Sequence, residues 1–159
     1  MSAAHVIGLI ADTHGLVRPE VHTALAGVEL ILHAGDVGGD AILDELELIA
    51  PLMAVRGNTD APGNPRLAEA LELSIGAVRI HVSHGHEVGP PTPAKLLARY
   101  DADVIVYGHT HKQLITNVDD RWVVNPGAAG ARRFDLLPSV AKMVVRDGSV
   151  AIELIDLAP

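Results

Sequence analysis

The 159-residue sequence contains no cysteine, so neither a disulfide framework nor a thiolate metal site can form. Aromatic residues are nearly absent, at 3% of the chain: one Trp, two Tyr and one Phe. The core must therefore be built from Ala, Val, Leu and Ile. Basic residues are scarce. Twelve Lys and Arg against twenty Asp and Glu give a net charge of −8. That balance argues against tight binding to long nucleic acid, which needs Lys and Arg to displace counterions. It also leaves no basic stripe or aromatic stacking ladder of the kind a nuclease uses. No apolar run approaches the roughly 20 residues of a membrane-spanning helix, so no membrane association is expected.

What is present is 48% hydrophobic residues, too many for a disordered chain, and nine histidines. The length is that of a single domain over residues 1–159, large enough to fold without a disulfide or zinc staple. Residues 1–4 carry no Lys or Arg, and the apolar run that begins at Val6 stops at Asp12. That is too short for a secretory signal, so a cytoplasmic location is expected.

The first third alternates strand and helix. Residues 6–11 read as a buried strand, apolar on both faces. Residues 19–25 read as a short helix with Pro19 in its first turn and Gly27 after its end. Residues 30–32 form a second strand. Asp40 caps a helix running to Ala50, with Ile42, Leu46 and Ile49 on one face. Residues 52–55 form a third strand. This β-α-β-α-β order predicts a parallel sheet with right-handed crossovers.

The remainder is mixed. After a Pro- and Gly-rich loop at 60–66, strands are expected at 70–74 and 78–83. Thr92-Pro93 starts a helix reaching about Tyr100. A buried strand follows at 104–107. Hairpins are expected at 114–118 with 122–124, and at 140–146 with 149–155 around Asp147-Gly148. The outline is two sheets packed face to face with helices outside.

Five aliphatic strands run directly into metal-capable side chains. They lead to Asp12-Thr13-His14, His33-Ala34-Gly35-Asp36, Arg56-Gly57-Asn58, His84-Gly85-His86 and Gly108-His109-Thr110-His111. Ligands bind at the carboxyl ends of strands in open α/β sheets. Carboxylates, an amide oxygen and neutral imidazoles, without thiolate, suit Mn, Fe, Ni, Zn or Mg. Side chains two apart in extended backbone, as in Asp12-x-His14 and His109-x-His111, would point the same way. One Asp-x-His, His-x-His or Gly-Asp taken singly is an ordinary loop. Five in order, each directly after a buried strand, are not. His5 and His22 read as surface residues and His81 as structural. His33 is placed either as a buried structural residue or as one orienting the Asp36 carboxylate.

This set of motifs resembles the five signatures of the calcineurin-like metallophosphoesterases, and most closely their small YfcE-type phosphodiesterase branch. The likeness extends from the first strand to Asn125-Pro126-Gly127. It implies a four-layer α/β/β/α sandwich with two mixed β-sheets and a dinuclear site. By that resemblance Asp12, His14, Asp36 and His111 hold one divalent cation, Asp36 bridges, and Asn58, His84 and His109 complete the shell of the second. Manganese is the first expectation, with nickel, iron, zinc and magnesium as alternatives. The activity implied is phosphodiester hydrolysis, in which a metal-bridging hydroxide attacks phosphorus in line, with Asp36 and Asn58 in the catalytic set.

Two positions depart from the family pattern. Many members carry His directly after the motif Asn, where this chain has Thr59. The general acid is then unassigned, and His86 is the nearest alternative. The usual Ser after Asn-Pro-Gly is Ala128. Arg56, Arg132 and Arg133 are the side chains available to meet a substrate phosphate, with surface solvation expected of the last two. The short loop at 87–91 implies an open site without a lid. The expected partner is a small phosphoester. An apolar edge strand in either hairpin would permit a homo-oligomer. A phosphomonoesterase or nucleotide pyrophosphatase would use the same residues. The other class of reading is a non-catalytic, protein-binding scaffold of the retromer-subunit type, against which all seven ligand positions are filled.

Overall fold

The computed structural model describes residues 3–133 and 135–157. Strands β1 (His5–Ile10), β2 (Leu30–His33), β3 (Leu52–Val55) and β4 (Leu67–Ala68) run parallel, separated by helices α1 (Pro19–Ala24) and α2 (Asp40–Glu47). Strands β10 (Ser139–Arg146) and β11 (Ser149–Asp156) return at the far end of the chain. β10 pairs antiparallel with β1, giving a six-stranded sheet in the order β11-β10-β1-β2-β3-β4. The second sheet has five strands: β5 (Leu71–Ile75), β6 (Val78–Val82), β7 (Val104–Val106), β8 (Leu114–Val118) and β9 (Arg121–Asn125), in the order β5-β6-β7-β9-β8. Both sheets mix parallel and antiparallel pairs. Helix α3 (Pro93–Arg99) connects β6 to β7.

The alternation of side chains along each strand builds the layers. In β1, Ile7 and Leu9 face the second sheet and pack with Ile80, Val82, Val104, Val106 and Val124. Their neighbour Ile10 faces the other way, into a core with Val21 of α1, Leu25 just after it, and Leu43 and Leu46 of α2. Ile105 and Val123 do the same on the outer face of the second sheet, against Leu96 of α3. The result is the expected α/β/β/α sandwich. Small aliphatic residues fill the space between sheets that few aromatics are present to occupy.

The local signals mostly hold. Thr92 caps α3, its hydroxyl accepting from the Lys95 amide at 3.2 Å. Asp147 and Gly148 both have positive φ, the geometry of a two-residue hairpin turn that follows the twist of its strands. Asp119 and Asp120 make the same turn between β8 and β9. Three details differ from the expectation. The cap of α2 is Gly39, and Asp40 is its first helical residue, with its carboxylate accepting from the Asn64 side chain at 2.7 Å. The helix ends at Glu47 rather than Ala50, because Leu48 to Ala50 close it with a tightened final turn. The two-residue strand β4, too short to show a period, was not expected. Among the described residues no helix is long and apolar enough to cross a membrane.

Leu32 is fully buried between the two sheets, where the neighbouring aliphatics cannot close up around a smaller side chain. Leu32→Ala is expected to lower unfolding free energy by about 2–5 kcal/mol in urea titrations, with an unchanged m-value.

Candidate metal centre

Strands β1, β2, β3, β6 and β7 end at one edge of the sandwich, and each releases its motif there. The chain does not continue in extended form. Asp12, His14, Asp36, His109 and His111 have φ of 53°, 45°, 56°, 72° and 63°. The same-side projection predicted for the two x-spaced pairs therefore arises differently from the extended geometry expected. Each of these five candidate ligands sits in a left-handed kink, whereas Asn58 and His84 do not. Asp and His tolerate this region better than most residues, at a cost of order 1–3 kcal/mol each. The loops are stitched together. The amides of Asp12, His14 and Gly15 donate to the carbonyls of Gly35, Asp36 and Val37, each at 3.0 Å.

Two groups of donors result. Asp12, His14 and His111 form one, and Asp36, His84 and His109 the other, with the ligand atoms in each group within 4.8 Å of one another. The Nε2 atoms of His14 and His111 are 3.3 Å apart, as are His84 Nε2 and His109 Nδ1. Asn58 Oδ1 lies 3.2 Å from His109 Nδ1. The groups adjoin through Asp36, whose Oδ2 is 3.2 Å from His84 Nε2 and 3.5 Å from His14 Nε2. Asp12 Oδ1 is 3.6, 3.7 and 3.9 Å from the Nε2 atoms of His111, His14 and His84. This oxygen is buried and accepts no hydrogen bond. A buried carboxylate oxygen aimed at three imidazole nitrogens, with no donor of its own, is an acceptor built for a cation.

The electrostatics agree. Burial would raise the Asp36 carboxyl, but His84 and the Thr59 amide outweigh it and hold the group below the usual carboxylate range. Asp12 raises the pKa of His14. Burial opposes protonation of His84, yet Asp36 and Asp12 raise it overall. His111 is lowered, chiefly by burial. His84 Nδ1 donates to the Ala34 carbonyl at 2.9 Å, which leaves the Nε2 lone pair pointing into the centre.

Residues 6–148 match the family model of the calcineurin-like phosphoesterase superfamily domain. The chain belongs to this superfamily. It is 38% identical over 151 residues to a probable metallophosphoesterase of Methanothermobacter thermautotrophicus, covering 89% of this chain and 85% of the relative. It is 31% identical over 140 residues to a phosphodiesterase of Methanocaldococcus jannaschii, covering 76% and 82%. Among solved structures it resembles the wild-type Vps29 of Entamoeba histolytica complexed with zinc, with a TM-score of 0.75, 27% identity and coverage of 96% and 99%.

Within this phosphoesterase scaffold, several residues place the ligands without joining them. His33 does not touch the Asp36 carboxylate, so its reading as an orienting residue for that group is corrected. Its Nδ1 accepts from the Gly35 amide at 3.0 Å. Its Nε2–H then donates to Thr13 Oγ1 at 3.0 Å, and Thr13 donates to the Val37 carbonyl at 2.7 Å. Asp60, which belongs to none of the five motifs, is the main brace. Its carboxylate accepts from the amides of Val37, Gly38 and Gly57 at 2.9–3.1 Å, joining the loops after β2 and β3. Its position two residues after Asn58 was the available signal, since short carboxylates commonly bind nearby backbone amides. Asn125 holds the His109 loop by donating to Gly108 O and Thr110 Oγ1, while accepting from the Gly127 amide. Arg56, available by sequence to meet a substrate phosphate, pairs with Glu69 and donates to the carbonyls of Gly57 and Asp60.

His86 begins a 3-10 turn, His86–Val88. Its ring centroid is 5.4 Å from that of His84 and 6.3 Å from that of His109. It lies beside the second donor group without contributing a ligand atom to it. Burial, followed by the nearby His84, lowers its pKa. Of the remaining histidines, His5 and His22 pair with Glu29 and Glu45, and His81 is buried against Glu72 with its ring stacked on Tyr100.

Two glycines permit close approach of the backbone to the candidate carboxylates. A Cβ on Gly57 would lie 2.0 Å from Asp36 Oδ1, and one on Gly108 would lie 2.8 Å from Asp12 Oδ2. Gly57→Ala is expected to displace the Asp36 carboxylate and weaken Mn²⁺ binding at least tenfold by calorimetry. His33 supplies a pH test. Burial lowers it from 6.5 to about 4, so between these values the unfolded chain binds a proton that the folded chain does not. Its contribution is present above pH 6.5 and is lost as pH falls toward 4, by an amount on the order of 3 kcal/mol. His33→Gln is expected to flatten the pH dependence of stability across that window, measured by urea unfolding of the metal-free protein.

Proposed function

We propose that the protein is a divalent-metal-dependent phosphodiesterase acting on small phosphoesters. The observation that carries this reading is the unpartnered, buried Asp12 Oδ1 facing three imidazole nitrogens. Asp12, His14 and His111 would hold one cation and Asn58, His84 and His109 a second, with Asp36 shared. Manganese is the first candidate, and nickel, iron, zinc or magnesium fit the same oxygen and nitrogen donors. When bound, such a pair supplies Lewis acidity that generates hydroxide near neutral pH and neutralises phosphoryl charge.

The protein's own residues set the conditions for that chemistry. The Ala34 carbonyl fixes the tautomer of His84, and the Asp12 carboxylate fixes the His109 loop by accepting its amide at 3.0 Å. Thr59 offers a backbone amide to Asp36 at 3.0 Å and no imidazole to substrate. His86, beside His84 and His109, is the side chain placed to supply a proton to a departing alkoxide. Burial and the neighbouring His84 disfavour its protonated form, which favours esters whose leaving groups need little protonation. Phosphomonoesters and nucleotide pyrophosphates present the same phosphoryl group to the same residues. The likeness to Vps29 favours a second reading, a protein-binding scaffold. The complete donor set and its strained backbone favour the enzyme.

The test is to strip the protein with chelator, reload it with Mn²⁺, Ni²⁺, Zn²⁺ or Mg²⁺, and compare an aryl diester with an aryl monoester. Diester turnover is expected with Mn²⁺, and Asp36→Ala is expected to lower it at least about a hundredfold because both donor groups lose a ligand. No turnover of either ester with any of the four metals would overturn the proposal.

A further inference from the structure

Three residues after His84 stands a carboxylate that neither donor group uses. Glu87 lies in the 3-10 turn His86–Val88, with its side chain 24% exposed. Both of its oxygens are engaged. Oε1 accepts from the Gly85 amide at 2.9 Å, and Oε2 accepts from the Tyr100 hydroxyl at 2.8 Å. Gly85 joins His84 to His86 in a left-handed turn, with φ of 105°. A Cβ there would lie 3.2 Å from Pro91 and 3.3 Å from Tyr107, so the turn is packed as well as bonded.

Tyr100 gives this carboxylate a fixed anchor. It follows α3, and its ring is stacked on buried His81 with the centroids 3.6 Å apart. Its amide donates to the Leu96 carbonyl at 3.0 Å, and Arg121 donates to its own carbonyl. Lys95 of α3 holds the far end of the same loop by donating to the Pro90 carbonyl at 2.9 Å. Helix α3 is thus linked, through Tyr100 and Glu87, to the single amide between His84 and His86. The two histidines depend on that link unequally. His84 has independent support: Nδ1 rests on the Ala34 carbonyl, and its own carbonyl accepts from the Gly108 amide at 3.0 Å. The His86 ring has none. Its Nδ1 is buried without a hydrogen-bond partner among the described residues and lies 3.8 Å from Glu87 Oε1.

We propose that Glu87 is the positioning residue for His86: braced by Tyr100, it fixes the Gly85 turn and so holds the His86 ring beside the second donor group. The inference rests on the phosphoesterase reading of the centre, in which His86 supplies the proton. The Val88 and Gly89 amides donate to the carbonyls of Gly85 and His86 at 3.2 and 3.1 Å, which sets the path of the turn but not the direction of the ring. In diester hydrolysis hydroxide forms the new P–O bond, the departing oxygen keeps the electron pair of the bond that breaks, and the His86 proton joins that oxygen. Such a transfer needs the donor within hydrogen-bond reach of the departing oxygen, and it matters most where that oxygen is a poor leaving group.

The experiment has two readouts. The first is turnover by the Mn²⁺-loaded protein of methyl aryl phosphodiesters whose phenols range from nitrophenol to phenol. Glu87→Ala is expected to lower kcat for the phenyl ester about tenfold more than for the nitrophenyl ester, with KM changed less than about twofold. Glu87→Gln keeps one oxygen for the Gly85 amide and is expected to recover part of that loss. Tyr100→Phe, which removes only the anchoring hydroxyl, is expected to shift the series in the same direction by less. The second readout is the nuclear Overhauser effect between the ring protons of His84 and His86 in the metal-free protein. It is expected in the wild type and in Glu87→Gln, and is expected to be lost in Glu87→Ala. Unchanged ring contacts in Glu87→Ala would overturn the proposal whatever the kinetics. So would slowing of all the esters by one common factor, or a Glu87→Gln protein no better than Glu87→Ala. Loss of the contacts in a protein whose wild type hydrolyses none of the esters would sink the phosphodiesterase reading and leave the positioning role standing.

Discussion

One buried acceptor that lacks a donor, Asp12 Oδ1, sets the terms for this molecule. Asp12 and Asp36 are almost wholly buried, and imidazole nitrogens converge on them at 3.2–3.9 Å. Such an arrangement is unfavourable by itself, and a polypeptide left free would relieve it by turning the side chains outward. The sandwich prevents that. Two sheets packed through interlocking Val, Leu and Ile fix five strand ends in register, and the loops have no length in which to relax. Local strain at the left-handed kinks is thus carried by a core remote from it.

How much of this the sequence disclosed depends on the range of the interaction. The strands after which the ligands follow were visible as aliphatic runs, because burial on both faces leaves a continuous apolar signature. The seven candidate donors are legible because each stands beside a glycine or polar residue at the end of such a run. The kinks were not, since extended and left-handed conformations of Asp12-x-His14 have the same letters. Nor was the brace at Asp60, whose partners are amides of residues 37, 38 and 57 and carry no residue identity at all. His33 shows the same limit from the other side. A histidine three positions before a carboxylate suggests contact with it, yet the strand turns at Gly35 and the ring is left to bond backbone and Thr13. Arg56 likewise lies next to a motif glycine but reaches Glu69, a partner thirteen residues away that only the β3–β4 pairing brings near.

The site is consequently assembled in two tiers. Side chains that differ in chemistry from their surroundings make up the inner tier, and these are the residues a motif records. The outer tier is mostly backbone, held by Asp60, Asn125, Thr13 and His33, and it decides where the inner one points. The motifs through which the chain resembles the calcineurin-like superfamily belong to the first tier.

The Asp60 clamp has a further consequence for ion selection. By gripping amides on both sides of the gap between β2 and β3, it prevents Asp36 and Asn58 from moving apart or together independently. A flexible set of nitrogen and oxygen donors would rank divalent cations by intrinsic affinity alone, in the order that favours copper over its neighbours. A braced cage adds a geometric criterion, because an ion of the wrong radius cannot draw the donors to its preferred distance. One carboxylate outside the candidate donor set would thus bear on which cation such a site could hold.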